Sequence, residues 1–289
     1  MLQALIDPFT DYGFMRRALA GCVALSFGSA PIGVLLVLRR MSLVGDAMAH
    51  AILPGAAVGF LVSGLSIWAM TIGGLITGLA VAFLSGLVAR YTPQREDASF
   101  AGFYLISLGL GVLLVSLRGT NMDLLHVLFG TVLALDDSAL LLIGGISTAT
   151  LVCLALFYRP IVLECLDPGF LRALGGNGYL IHATFLTIVV LNLVGGFHAL
   201  GTLMVVGLMM LPAAAARFWA ESVLGQMVTS VVIGLVASII GLLLSYHASL
   251  PASPAIILVA GVLYILSLSF GRHGSLLRQA LYQRAARLP

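Results

Sequence analysis

Val44-Gly45-Asp46-Ala47-Met48-Ala49-His50-Ala51-Ile52-Leu53-Pro54-Gly55-Ala56-Ala57-Val58-Gly59-Phe60-Leu61-Val62-Ser63 is apolar enough to cross a bilayer, yet it carries a carboxylate and an imidazole. A membrane-spanning helix needs about 20 such residues. On a helix the spacing of Asp46 and His50 stacks both side chains on one face, about 6 Å apart at the backbone. Ionisable groups in hydrocarbon are costly unless they serve a cavity, a pathway or a cation. Two readings follow: an internally paired Asp–His that pins two helices together, or a divalent-metal site on a transport route.

The rest of the chain matches this segment. Of 289 residues, 61% are hydrophobic and 9% charged, and the mean hydropathy is +1.13. Those values lie outside the range of soluble domains. The apolar runs are long and lack the dyad alternation of an outer-membrane barrel, so the chain reads as an all-α polytopic membrane protein. Residues 1–13 are acidic and polar, without the basic start and apolar core of a signal peptide, which predicts that the first span is retained. Cys22, Cys153 and Cys165 are far apart and lack ligand spacing; they read as small core residues or a cytosolic thiol. All fourteen basic residues are arginine. Without lysine there is no P-loop, so any ATP chemistry must come from another subunit.

Nine spans are predicted, at 14–38, 44–63, 67–89, 98–117, 138–158, 180–199, 200–216, 222–246 and 254–270. Arginine is retained on the cytoplasmic side. With the N-terminus outside, Arg39, Arg40, Arg90, Arg95, Arg159, Arg172, Arg217, Arg272, Arg278, Arg284 and Arg287 fall inside, and only Arg16, Arg17 and Arg118 outside. The C-terminal tail, 271–289, is then cytoplasmic. The apolar piece 124–135 is too brief to span with ease; if it crosses, the parity of everything before it reverses. Glycine pairs such as Gly73-Gly74, Gly144-Gly145 and Gly195-Gly196 read as close helix contacts. Ile52-Leu53-Pro54-Gly55-Ala56-Ala57 and Met210-Leu211-Pro212-Ala213-Ala214-Ala215 look alike in oppositely directed spans, as in an inverted repeat. Aligned on the prolines, Asp46 and His50 fall opposite Met204 and Leu208, so at most one half of such a repeat carries hard ligands.

The segment Arg39-Arg40-Met41-Ser42-Leu43-Val44-Gly45-Asp46-Ala47-Met48-Ala49-His50 through Gly55 resembles the signature of the ABC-type manganese and zinc permease family. The resemblance continues through Arg95-Glu96-Asp97-Ala98 and Asp123-Leu124-Leu125-His126 to Gly130. It then takes in Asp167-Pro168-Gly169-Phe170 with Ala173-Leu174-Gly175, and Leu208 to Ala216. His198 departs from it, since such permeases more often carry glutamine there. The resemblance implies a single permease domain, 1–289, of the type II ABC importer kind, with broken helices, in the bacterial inner membrane. It further implies a homodimer, two cytosolic ABC ATPase subunits and an extracytoplasmic metal-binding protein, with lipid around the spans and no nucleic acid. It also gives segment 164–178 the role of a coupling helix, involving Asp167, Pro168, Phe170, Arg172, Leu174 and Gly175. Asp167-Pro168 forms an N-cap followed by proline at the first helical position, and Gly175-Gly176 closes the helix.

One Asp–His pair offers too few ligands to replace a hydration shell. Near a two-fold axis, two pairs give two carboxylates and two imidazoles, a set suited to Zn²⁺ or, with waters or carbonyls, Mn²⁺. No cofactor is expected to be bound permanently; the ion is cargo, with a slight preference for zinc from the histidine count. Protonation of His50 competes with metal, so uptake should weaken below about pH 6.

Other polar residues are weaker candidates. Asp123 and His126 form a second pair, but Asn121 and Asp123 also read as helix caps. His198 and His247, near outer ends of spans, are placed to receive metal or simply to be solvated. His182 and His273 lie on the cytoplasmic side with no evident partner. Met204, Met209 and Met210 read as core fillers before a soft-metal path. The rival functions are a proton-coupled secondary metal transporter, with Asp46 as proton carrier, and an intramembrane protease. The latter lacks H-E-x-x-H and a glutamate placed as general base.

Overall fold

Prolines and glycines decide where the helices of this chain break, and those breaks shape the bundle. The computed structural model describes residues 2–64, 66–117, 132 and 135–278. These form twelve α-helices and no strand: α1 (Leu2–Asp11), α2 (Gly13–Leu38), α3 (Val44–Ala51), α4 (Leu53–Ser63), α5 (Ile67–Tyr91), α6 (Glu96–Leu117), α7 (Asp137–Leu166), α8 (Pro168–Ala173), α9 (Gly178–Leu200), α10 (Thr202–Ala216), α11 (Val223–Ala248) and α12 (Ala252–Phe270). Among the described residues, eight helical segments are long and apolar enough to cross a membrane, with α3 and α4 together making one; Thr202–Ala216 is a shorter apolar helix. The protein is a multi-pass, all-α membrane protein.

Three elements differ from the sequence expectation. The acidic N-terminal stretch is helical as α1, which packs on α2 and α11. Span two is two helices meeting at Ile52, because Pro54 lacks the N–H that would bond the His50 carbonyl. Span five does not end at 158: α7 continues to Leu166 across a kink at Phe157, set by Pro160 one turn on. Its start is capped by Asp136, whose carboxyl is held below its ordinary value by the Ser138 hydroxyl and the Ala139 N–H.

Contacts between helix ends fix the order of crossings. At one face Arg17, near the start of α2, pairs with Asp137 at the start of α7 (3.1 Å). Tyr12 stacks against Tyr246 at the end of α11, with ring centroids 5.7 Å apart, as in an interfacial aromatic belt. At the other face Arg39 follows the end of α2 and meets Glu96 at the start of α6 and Glu164 at the end of α7. Hence α6 starts on the Arg39 face, α7 starts on the Arg17 face, and each spans the bundle. The end of α6 and the start of α7 therefore lie on one face, so the arginine count keeps its parity, while the apolar piece 124–135 falls almost wholly outside the described residues.

The bundle is built around α2, which packs on α7, α9, α10 and α11 and is buried over most of its length. Outer helices expose Ile72, Ile76, Leu110, Leu141, Leu258 and Val262. Apolar faces of this kind suit hydrocarbon, where small residues and close backbones supply helix association. Gly55 of α4 and Gly73 of α5 cross so closely that a Cβ on either would collide with the other's carbonyl. Gly33 meets the Met209 carbonyl on α10 in the same way. Gly195 and Gly196 also pack tightly, whereas Gly144, Gly145 and Gly109 have nothing within 4 Å of an added Cβ. Gly55→Val should therefore separate α4 from α5 at a cost of roughly 1–3 kcal/mol or more. Thermal unfolding in detergent should show a lowered midpoint for that variant and none for Gly109→Ala.

Candidate functional site

The short helix α3 carries Asp46 in its first turn and His50 in its last. Its C-terminal end is anchored by a hydroxyl from a neighbouring helix: Ser107 of α6 donates to the Ala51 carbonyl (2.8 Å), whereas the Ile52 carbonyl is taken by the Ala56 N–H (3.1 Å). Carbonyls exposed by a helix break need such partners inside a membrane. The negative end of the α3 dipole then lies beside His50, which favours a cation there.

Asp46 Oδ1 and His50 Nε2 are 3.8 Å apart. Two ligand atoms on one ion, each about 2.1 Å from it, stand about 3.0–3.6 Å apart. The pair is therefore near the bite of a divalent metal without making a hydrogen bond to itself. His50 Nδ1 is buried with no hydrogen-bond partner. Such an orphan nitrogen argues against an Asp–His pair that serves only to pin helices. The Asp46 side chain is 68% exposed and that of His50 29%, and both face a groove of about 360 Å³. The opposite wall is Leu203, Val206, Gly207 and Met210 of α10 with Ile257 of α12. Met204 and Met209 fill the core as expected, but Met210 lines this groove. Among the described residues no three His, Cys, Asp or Glu side chains cluster as metal ligands, and Asp46 and His50 are the two that face this groove.

The segment after α7 folds as its sequence predicts. Asp167 caps α8, accepting from the Phe170 N–H (2.9 Å). Gly175 ends it with φ 78°, a left-handed value that glycine adopts freely. Leu171 is buried and holds the helix on the bundle, while Phe170, Arg172 and Leu174 are exposed. Phe170 and Leu174, four residues apart, leave an apolar stripe uncovered, and Leu166 is exposed just before the helix.

Asp123 and His126 lie outside the described residues, and His198 is placed only as a helical position of α9. His247 is exposed at the end of α11, with Nδ1 2.9 Å from the Leu243 carbonyl. The two histidines expected on the cytoplasmic side without a partner, His182 and His273, both have one. His273 Nδ1 is 2.9 Å from Glu221 Oε1. His182 Nε2 is 2.9 Å from Glu96 Oε1, and its Nδ1 accepts from Arg39 Nη1. Arg39, Glu96, Glu164 and His182 form a charged network that sequence reading missed, because its members lie up to 143 residues apart. The available signal was that each sits at the arginine-rich end of an apolar span. Cys22 and Cys165 are buried and all three cysteines are free.

Known proteins share this arrangement of helices. The profile of the ABC 3 transport family matches residues 11–271. The chain is 29% identical over 267 residues to the manganese import system permease protein ScaB of Streptococcus parasanguinis, covering 92% of this chain and 94% of that protein. It is 30% identical over 286 residues to the manganese transport system membrane protein MntC of Halalkalibacterium halodurans, covering 98% and 97%. A solved chain of PsaBC from Streptococcus pneumoniae, in complex with Fab, matches with a TM-score of 0.84 at 27% identity, over 97% of this chain and 100% of that one. With a family profile spanning nearly the whole sequence and a solved relative of the same fold, the chain belongs to the ABC 3 transport family.

Proposed function

We propose that this chain is the membrane permease of an ATP-driven importer of divalent metal, with manganese as the ion. The observation that carries the reading is the Asp46–His50 pair, 3.8 Å apart and so close to the bite of a metal, in an open groove and without a hydrogen bond between the two. Relatives named for manganese favour that ion over the zinc that the histidine count alone suggests. Residues 1–289 act as one permease domain in the bacterial inner membrane, with the arginine-rich face and the tail in the cytoplasm. Two copies pair across the groove, and the second supplies the missing ligands. A cytosolic ATPase subunit docks on α8, and an extracytoplasmic metal-binding protein delivers the ion to the opposite face. The site opens alternately outward and inward. Carboxylate and imidazole in an open set bind strongly enough to strip water and weakly enough to release.

The test is uptake of radiolabelled manganese and zinc by proteoliposomes holding this chain, its ATPase and its binding protein. Manganese uptake that requires ATP is expected. Uptake driven by a proton gradient with this chain alone would replace the importer by a secondary transporter.

A further inference from the structure

We propose that Arg39, Glu96, Glu164 and His182 are positioning residues that pass movement of α8 to the metal-site helix α3; this inference rests on the importer reading above. The four come from four elements, α2, α6, α7 and α9, and meet beside a cavity of about 260 Å³ that Pro168 and Arg172 of α8 also line. Arg39 is the hub. It donates to His182 and to Glu96 Oε2 (3.4 Å), lies 4.0 Å from Glu164 Oε1, and sits over the Phe185 ring at 5.7 Å. A guanidinium only donates, so His182 Nδ1 carries the lone pair and the ring proton faces Glu96 from Nε2. His182 thereby bridges the guanidinium of Arg39 and the carboxylate of Glu96.

Glu164 is the more loosely held of the two carboxylates, 4.0 Å from Arg39, whereas Glu96 lies 3.4 Å from Arg39 and 2.9 Å from His182. Glu164 Oε2 is buried without a partner, and its Oε1 is beyond hydrogen-bond reach of Arg39. On the other side, Glu164 Oε2 and the Arg172 stem both lie against Gly178, within 3.1 and 3.8 Å of where a Cβ would stand. Glu164 thus sits between the Arg39 guanidinium that follows α2 and the stem of Arg172 on α8, whose Nε donates to the Pro168 carbonyl (3.2 Å), and it is engaged fully by neither. A buried carboxylate without a full partner is unfavourable, so a shift of α8 that completes either pair is favoured. That provides two discrete arrangements of one network, the requirement for a switch.

The path onward is short. Arg39 is followed by Arg40 at φ 60°, an uncommon value for a residue with a side chain, then by Met41, whose N–H returns to the Leu36 carbonyl. Three residues later α3 begins. Movement of Arg39 relative to α6 and α9 therefore bears directly on the helix that holds Asp46 and His50.

The experiment compares manganese transported per ATP hydrolysed by the full complex in proteoliposomes, normalised to assembled complex. The variants are Glu164→Gln, His182→Gln and the conservative Glu164→Asp. Glu164→Gln and His182→Gln should assemble and hydrolyse ATP, but their transport per ATP should fall about 2- to 30-fold, as for residues that modulate coupling. Glu164→Asp should recover part of the loss, and manganese binding to the detergent-solubilised variants should stay at the wild-type level. Wild-type transport per ATP in both neutral variants overturns the proposal. Failure of both to assemble also overturns it, by showing a purely structural network. Absence of ATP-driven uptake in the wild type overturns the importer reading and the network with it.

Discussion

Asp46→Ala and His50→Ala should each lower manganese uptake by about 100-fold or more, while each variant still assembles with its ATPase. Loss of groups that merely orient a metal ligand typically costs 10–100-fold, and here one of only two ligands per chain is removed. The fold should survive Asp46→Ala because that side chain is mostly exposed in the groove and bonds to nothing else. His50 is more covered, yet its Nδ1 has no partner to strand. The measurement is radiolabelled manganese uptake beside a size-exclusion profile of the complex. Wild-type uptake in both variants would remove Asp46 and His50 from the pathway.

Much of this molecule could be read from its residues, and the places where reading stopped have physical causes. Length and hydropathy placed the spans to within a few residues, since the bilayer sets helix length in advance. The resemblance implies broken helices and Pro54 marks one of them, but that span two divides at Ile52 is visible only with its partners in place, such as the Ser107 hydroxyl on the Ala51 carbonyl. The extension of α7 to Leu166 was hidden for a related reason. Arg159 signalled the end of the hydrocarbon, and Pro160 suggested an end of helix, but a kink at Phe157 let the helix carry on. Asp46 and His50 were found because i, i+4 spacing is local and both groups are anomalous in an apolar run. The Arg39 network was not, because partners brought together from α2, α6, α7 and α9 leave no local pattern. His182 looked solitary only because its neighbours in space are remote in sequence.

The α8 segment carries the second large effect. Phe170 and Leu174 are 52% and 63% exposed on the arginine-rich face, four residues apart on α8 and its cap, and Leu166, 57% exposed, precedes them across the non-helical Asp167. Beyond the hydrocarbon such a stripe is unfavourable unless a partner covers it. Asp167 and Gly175 fix both ends of the helix and Leu171 fixes its seat, so the stripe is presented rigidly. Burying one large apolar side chain against a partner is worth about 1.5–3 kcal/mol. Phe170→Asp with Leu174→Asp should therefore weaken association with the ATPase by about 100-fold or more, and uptake should fall with it. The permease itself should remain folded, because neither side chain contributes to its core. Titration of purified permease in detergent with its ATPase measures the effect directly. Undiminished affinity in the double variant would place the docking surface elsewhere and leave α8 as an ordinary capped connection between α7 and α9.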